Sequence, residues 1–138
     1  MSISCIALAL EDTGVIAPTL APFEREWVMA NLLKRLGVDV VNKSPWDNVN
    51  APGGKLRHDG WELISSYVGA NHCFLFTLGA ITIWKFDNGS DLNRVLQDCP
   101  PIEFYVCDSG FDYLLCFNHH DHVVGWGSAA PWVDGLNV

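Results

Sequence analysis

The most reactive side chains in the sequence gather in one short stretch, Asn118-His119-His120-Asp121-His122, with Cys116 two residues before it. Imidazole nitrogens and a carboxylate suit a zinc or nickel ion. Adjacent turn residues cannot all converge on one ion, so only His120 and His122, alternating on one strand face, form a ligand pair. A third donor would have to come from His72, His58 or a distant carboxylate. The competing reading is that Asn118 and Asp121 shape the turn while the imidazoles bond neighbouring backbone or meet a partner. A Cys116 or Cys107 nucleophile with His72 or His120 as base is a second option. The apolar residues around both cysteines argue instead for protonated, inert thiols. Glu103, Asp108 and Asp112 would permit paired-carboxylate chemistry, although acidic residues at strand ends supply such pairs by chance. There is no phosphate loop, GxGxxG, HExxH or GxSxG. The expectation is a protein that is not an enzyme and carries no cofactor and no metal. A metal-binding domain or metal-dependent enzyme built on the His-rich turn is the alternative.

Any such site must be positioned by a single domain, because 138 residues fit one hydrophobic core and 49% hydrophobic against 17% charged residues is a folding composition. The clearest helix runs from Pro22 to Leu36, with Glu24 and Glu26 in the first turn, Lys34 and Arg35 in the last and Gly37 as the stop. Its apolar spacing assigns Trp27 to the core, as later patterns do Trp61 and Trp84. Residues 3 to 10 are apolar throughout and lean to a short helix. Asp59 predicts the cap of a helix through Val68, with Glu62 completing a capping-box-like pair. Ser90 predicts the cap of another helix ending at Asp98, before Cys99-Pro100-Pro101. Strand patterns occupy 72–78, 81–86, 102–107, 113–117 and 123–126, and a brief helix follows Pro131. Residues 42–60, rich in Pro, Gly, Asn and Asp, predict a long surface loop anchored by Trp46 and Arg57. The fold class is thus α+β: N-terminal helices packed on a largely antiparallel sheet of about five strands, in one domain spanning residues 1–138.

Charge then indicates what the surface meets. The net charge is -8, and residues 87–138 hold eight acidic side chains against Arg94 alone. That balance opposes general binding to nucleic acid, which needs clustered Lys and Arg. An acidic face can keep a Trp-rich domain in solution, or it can dock a basic partner and speed its association. Trp46, Trp126 and Trp132 are less clearly core and suit an interface. The longest apolar stretch, Cys73 to Trp84, is shorter than the roughly 20 residues of a membrane span, and no secretory signal is visible. Five cysteines at irregular spacing favour free thiols in a reducing cytoplasm, away from a membrane.

Three segments, WELISSYVG, WKFDNGSDLNRVLQDCPPIEFYVCD and DYLLCFNHHDHVVGWGSAAPWV, carry a resemblance that covers about half the chain, from Gly60 to Trp132. Its most distinctive pieces are Glu103 to Val106 and Leu114 to Asp121. The stretch resembles small cytoplasmic bacterial proteins encoded beside polymorphic toxins, among them immunity proteins of contact-dependent inhibition systems. The resemblance implies a protein that binds a cognate toxin domain one-to-one and blocks it, with no catalytic residues of its own. Combined with the acidic second half, it makes Asp108, Asp112, Asp121, His120, His122 and Trp126 the expected partner-binding residues. A structural or regulatory interaction module is the remaining alternative.

Overall fold

The computed structural model describes residues 4–42, 44–47 and 51–138. Among these, five α-helices surround one antiparallel sheet of six strands. Helices α1 (Cys5–Thr13) and α2 (Pro22–Asn31) come first, and α2 runs on into a single π-helical turn, Leu32–Leu36. Strand β1 (Lys55–Leu56), helix α3 (Gly60–Val68) and the hairpin β2 (Cys73–Phe76) and β3 (Ile83–Phe86) follow. Helix α4 (Gly89–Asp98), strands β4 (Phe104–Cys107), β5 (Tyr113–Phe117) and β6 (His122–Gly127), and helix α5 (Ala130–Asp134) complete the chain. The strand order is β1-β6-β5-β4-β2-β3. The α+β class holds, with six strands where the periodicity predicted five. The additional strand is β1, two residues inside the expected 42–60 loop, which pair with Val123 and His122 of β6. Two residues are too few for a period-2 pattern to register.

Both faces of the sheet are covered. Cys73, Leu75, Phe104, Val106, Leu115 and Phe117 point toward α1, α3, α4 and α5. Phe74, Phe76, Tyr105, Cys107, Leu114 and Cys116 point toward α2, its π turn and the segment carrying Val38, Val40 and Trp46. Continuous burial along β2, β4 and β5 is the mark of a sheet sandwiched between two layers. Helix α2 and its π turn cover that face with Val28 and Leu32, both fully buried, and leave Trp27 50% exposed. The expectation that Trp27 lies in the core is therefore corrected. The helix carries apolar residues on more than one stripe, only one stripe can face the sheet, and Trp27 instead packs edge-on against Phe111 at 4.9 Å.

Two local devices differ from the sequence reading. Asp59 stands at the N-cap of α3 but gives its carboxylate to Arg57, accepting at 2.9 and 2.8 Å from the guanidinium. The hydrogen bonds from Arg57 hold Asp59 below the usual carboxylate range. A bidentate charge-assisted pair displaces the weaker capping box. Helix α4 begins at Gly89, capped by Asn88 rather than Ser90, with Asn88 Oδ1 accepting from the Asp91 N–H at 2.8 Å. Asn88 lies two residues earlier, and its amide oxygen reaches the third helical N–H.

Candidate functional site

The functional candidates sit at the two ends of β4, β5 and β6, and similar hairpin turns build both ends. In the β4–β5 turn, Asp108 O accepts from Phe111 N, and Asp108 Oδ1 accepts from the N–H groups of Asp112 and Tyr113 at 2.8 and 3.2 Å. In the β5–β6 turn, Asn118 O accepts from Asp121 N, and Asn118 Oδ1 accepts from His120 and His122 N–H groups at 2.9 and 3.0 Å. The fourth residue of each turn, Phe111 or Asp121, takes the left-handed conformation, with φ of 57° and 59°. One side-chain oxygen thus satisfies two backbone donors in each turn and closes the hairpin. β5 is five residues long, so the two turns stand about 17 Å apart at about 3.4 Å per residue.

At the β5–β6 end the charged groups are committed to one another. Glu103 lies just before β4 with 17% of its side chain exposed, and Oε1 accepts from both the backbone and Nδ1 of His119 at 3.3 and 3.0 Å. Glu103 Oε2 accepts from the Tyr105 hydroxyl at 3.0 Å. Burial alone would raise the Glu103 carboxyl, but the hydrogen bonds, His119 first, leave it below its usual value. Trp46 contributes to that lowering from beside the carboxylate, although its buried indole N–H meets no acceptor in hydrogen-bond geometry. Its ring packs edge-on against His119 and His120 at 5.2 and 5.7 Å. Asp121 pairs with His58 Nδ1 at 2.8 Å, and the backbone of Arg57 donates to the Asp121 carbonyl. Trp46 and Arg57 therefore do anchor the 42–60 segment, Arg57 also reaching the Asn137 carbonyl at 2.8 Å. Residues 43 and 48–50 of that segment lie outside the described residues.

Among the described residues no three His, Cys, Asp or Glu side chains come together as a metal site. His120 is turned onto Trp46 and His119, the latter ring 4.0 Å away. An apolar groove of about 240 Å³ beside this end brings His58 and Asp121 near Cys99 and Gln97. Those residue types resemble the parts of a thiol hydrolase, yet Cys99 Sγ is directed at the Cys5 carbonyl at 3.5 Å. Burial, with the neighbouring Cys5 sulfur, pushes the Cys99 thiol up to about 12. Cys99 also stands at the C-terminal end of α4, where the macrodipole opposes a thiolate. Burial likewise pushes Cys107 and Cys116 well above the usual thiol value. None of these three thiols is the activated thiolate that a thiol hydrolase needs.

The opposite end is open. Asp112 exposes 68% of its side chain, which among the described residues meets Arg35 alone, at 3.9 Å. The second oxygens of Asp108 and Asp112 flank Gly110, each 3.5 Å from where a Cβ would stand at that glycine. A polar groove of about 640 Å³ runs beside them, lined also by Tyr67, Asn71, His72, Ser109 and Ser128. Of the expected partner-binding residues, Asp108, Asp112 and Trp126 stand at this end, Trp126 opposite Leu114 in the sheet. His120, Asp121 and His122 stand at the other. The sequence reading missed the Glu103-Tyr105-His119-Trp46 cluster and the His58–Asp121 pair. Glu103 and Tyr105 share a strand face by their spacing of two, a signal that was available. The separation of 63 positions between His58 and Asp121 left none.

No protein-family model, curated protein or solved structure matches the chain. No helix among the described residues is long and apolar enough to cross a membrane.

Proposed function

We propose that the protein is a cytoplasmic immunity protein that binds a basic toxin domain one-to-one, using the Asp108–Asp112 end of its sheet. The observation that carries this choice of surface is the contrast between the two ends. Both oxygens of Glu103 are occupied, by His119 and Tyr105, and Asp121 is paired through one oxygen with His58. Asp108 and Asp112 keep an oxygen each beside an open polar groove. Two carboxylates near one position suit a guanidinium or ammonium group, and an acidic rim accelerates encounter with a basic surface. The part-buried Trp126 at the same end offers an aromatic contact. The identity of the partner as a toxin rests on the resemblance of Gly60 to Trp132 to immunity proteins.

The test is co-expression with the product of the adjacent gene, followed by copurification and growth with and without this protein. A one-to-one complex with rescued growth supports immunity; a complex without rescue supports a structural or regulatory module instead. Absence of both overturns the reading.

A further inference from the structure

A second chemical feature of the molecule is independent of any partner. Five cysteines are free. Cys73, Cys107 and Cys116 are buried in the sheet at 1% exposure or less. Cys5 and Cys99 are each part-exposed, and they meet: Cys5 is the first residue of α1, Cys99 caps the end of α4, and Cys99 Sγ lies 3.5 Å from the Cys5 carbonyl. The two helices are held together by Ile6 and Ala9 of α1 and Leu92, Val95 and Leu96 of α4 in a common core. Arg94 adds a hydrogen bond to the Thr13 carbonyl at 2.8 Å. The juxtaposition is therefore set by packing and does not need the thiols.

We propose that Cys5 and Cys99 are a redox modification site, a dithiol that a peroxide converts to a disulfide joining α1 to the end of α4. Cys5, at the part-exposed start of α1, is the sulfur that attacks the peroxide, and Cys99, with its Sγ already directed at Cys5, is the resolving thiol, its proton passing to the departing oxygen. The Cys5 sulfur takes one peroxide oxygen as the O–O bond breaks, giving a sulfenic acid and one water. Cys99 then attacks the sulfenic sulfur; the S–S bond forms, the S–O bond breaks and a second water leaves with the remaining protons. Two thiols are oxidised and one hydrogen peroxide is reduced to two waters. The cross-link closes a loop of more than ninety residues, long enough for a large entropic effect on the unfolded chain.

The experiment treats the reduced full-length protein with hydrogen peroxide, quenches under denaturing conditions, counts thiols and maps peptides by mass. The expected result is a fall from five free thiols to three, a linked peptide pair containing Cys5 and Cys99, and a melting temperature several degrees higher that dithiothreitol reverses. Cys5→Ser, at the part-exposed helix start, should fold, keep its remaining four thiols and show no dithiothreitol-sensitive rise in melting temperature. Oxidation of Cys5 to sulfenic or sulfinic acid without the linked peptide overturns the proposal. So does loss of the buried thiols first, or no oxidation at all.

Discussion

Glu103 and Asn118 show how single side chains at the β5–β6 end hold the turn. Glu103 is lowered in the folded state, so its ionised form contributes stability that is complete above its usual value of 4.5 and is lost as the pH falls through the lowered folded value. Glu103→Gln removes that titration. In urea unfolding from neutral pH to about pH 3, the stability gap between the wild type and Glu103→Gln should narrow on the acid side, the wild type losing its advantage as Glu103 protonates. A gap independent of pH would mean that Glu103 acts through packing. Asn118 is buried, and its amide oxygen is the acceptor for two backbone N–H groups. Asn118→Ala should cost about 1–3 kcal/mol in denaturant unfolding, and Asn118→Asp, which keeps the acceptor, should recover much of it. At the other end the same logic selects the charge variant: Asp108 Oδ1 closes its own turn, so Asp108→Lys would disrupt the hairpin as well as the surface charge. Asp108→Asn keeps the acceptor and removes the charge.

At the scale of elements, close backbone approach sets which helices can pack where. Gly89 opens α4 with its N–H donating to the Gly69 carbonyl at 2.7 Å, and a Cβ there would run into the Ser65 carbonyl of α3. The start of α4 can rest on the end of α3 only because residue 89 has no side chain. Gly89→Ala should destabilise by about 1–3 kcal/mol, whereas Gly53→Ala, with open space around its Cβ position, should stay within about 0.5 kcal/mol of wild type. Thermal or urea unfolding of the pair makes the comparison. The hairpin turns are a second example. Asp121 tolerates its left-handed backbone better than a β-branched residue would, so Asp121→Val should destabilise more than Asp121→Gly, although both lose the His58 pair.

For the whole molecule, the sheet separates two cores and also holds the candidate residues at two opposite ends. The ends differ in electrostatic availability rather than in composition, and association is where that difference can be measured. The double variant Asp108→Asn with Asp112→Lys should slow association with the proposed basic partner by on the order of tenfold at low salt, with a smaller effect near physiological ionic strength. Stopped-flow or surface-based kinetics on a variant with an unchanged melting temperature checks this. Unchanged association would move the docking surface elsewhere. His120→Ala, in which the lost ring packs on Trp46, should leave the association rate unaltered.

The sequence by itself determined what depends on neighbours along the chain. The pattern at Pro22 to Leu36, the apolar runs at 113–117 and 123–126, and the turn residue Asn118 each carry their structural instruction within a few positions. That was enough for an α+β domain with a largely antiparallel sheet, and for an Asn-shaped turn at the His-rich stretch. The stripe of α2 that faces the sheet, the two-residue β1 and the loss of Asp59 as a cap were decided by tertiary contacts. So were the engagement of His119 by Glu103, the pairing of His58 with Asp121 and the approach of Cys5 to Cys99. The physical reason is that hydrophobic periodicity and turn chemistry are local, while a carboxylate or thiol takes its chemical state from whichever distant groups the packed core brings beside it.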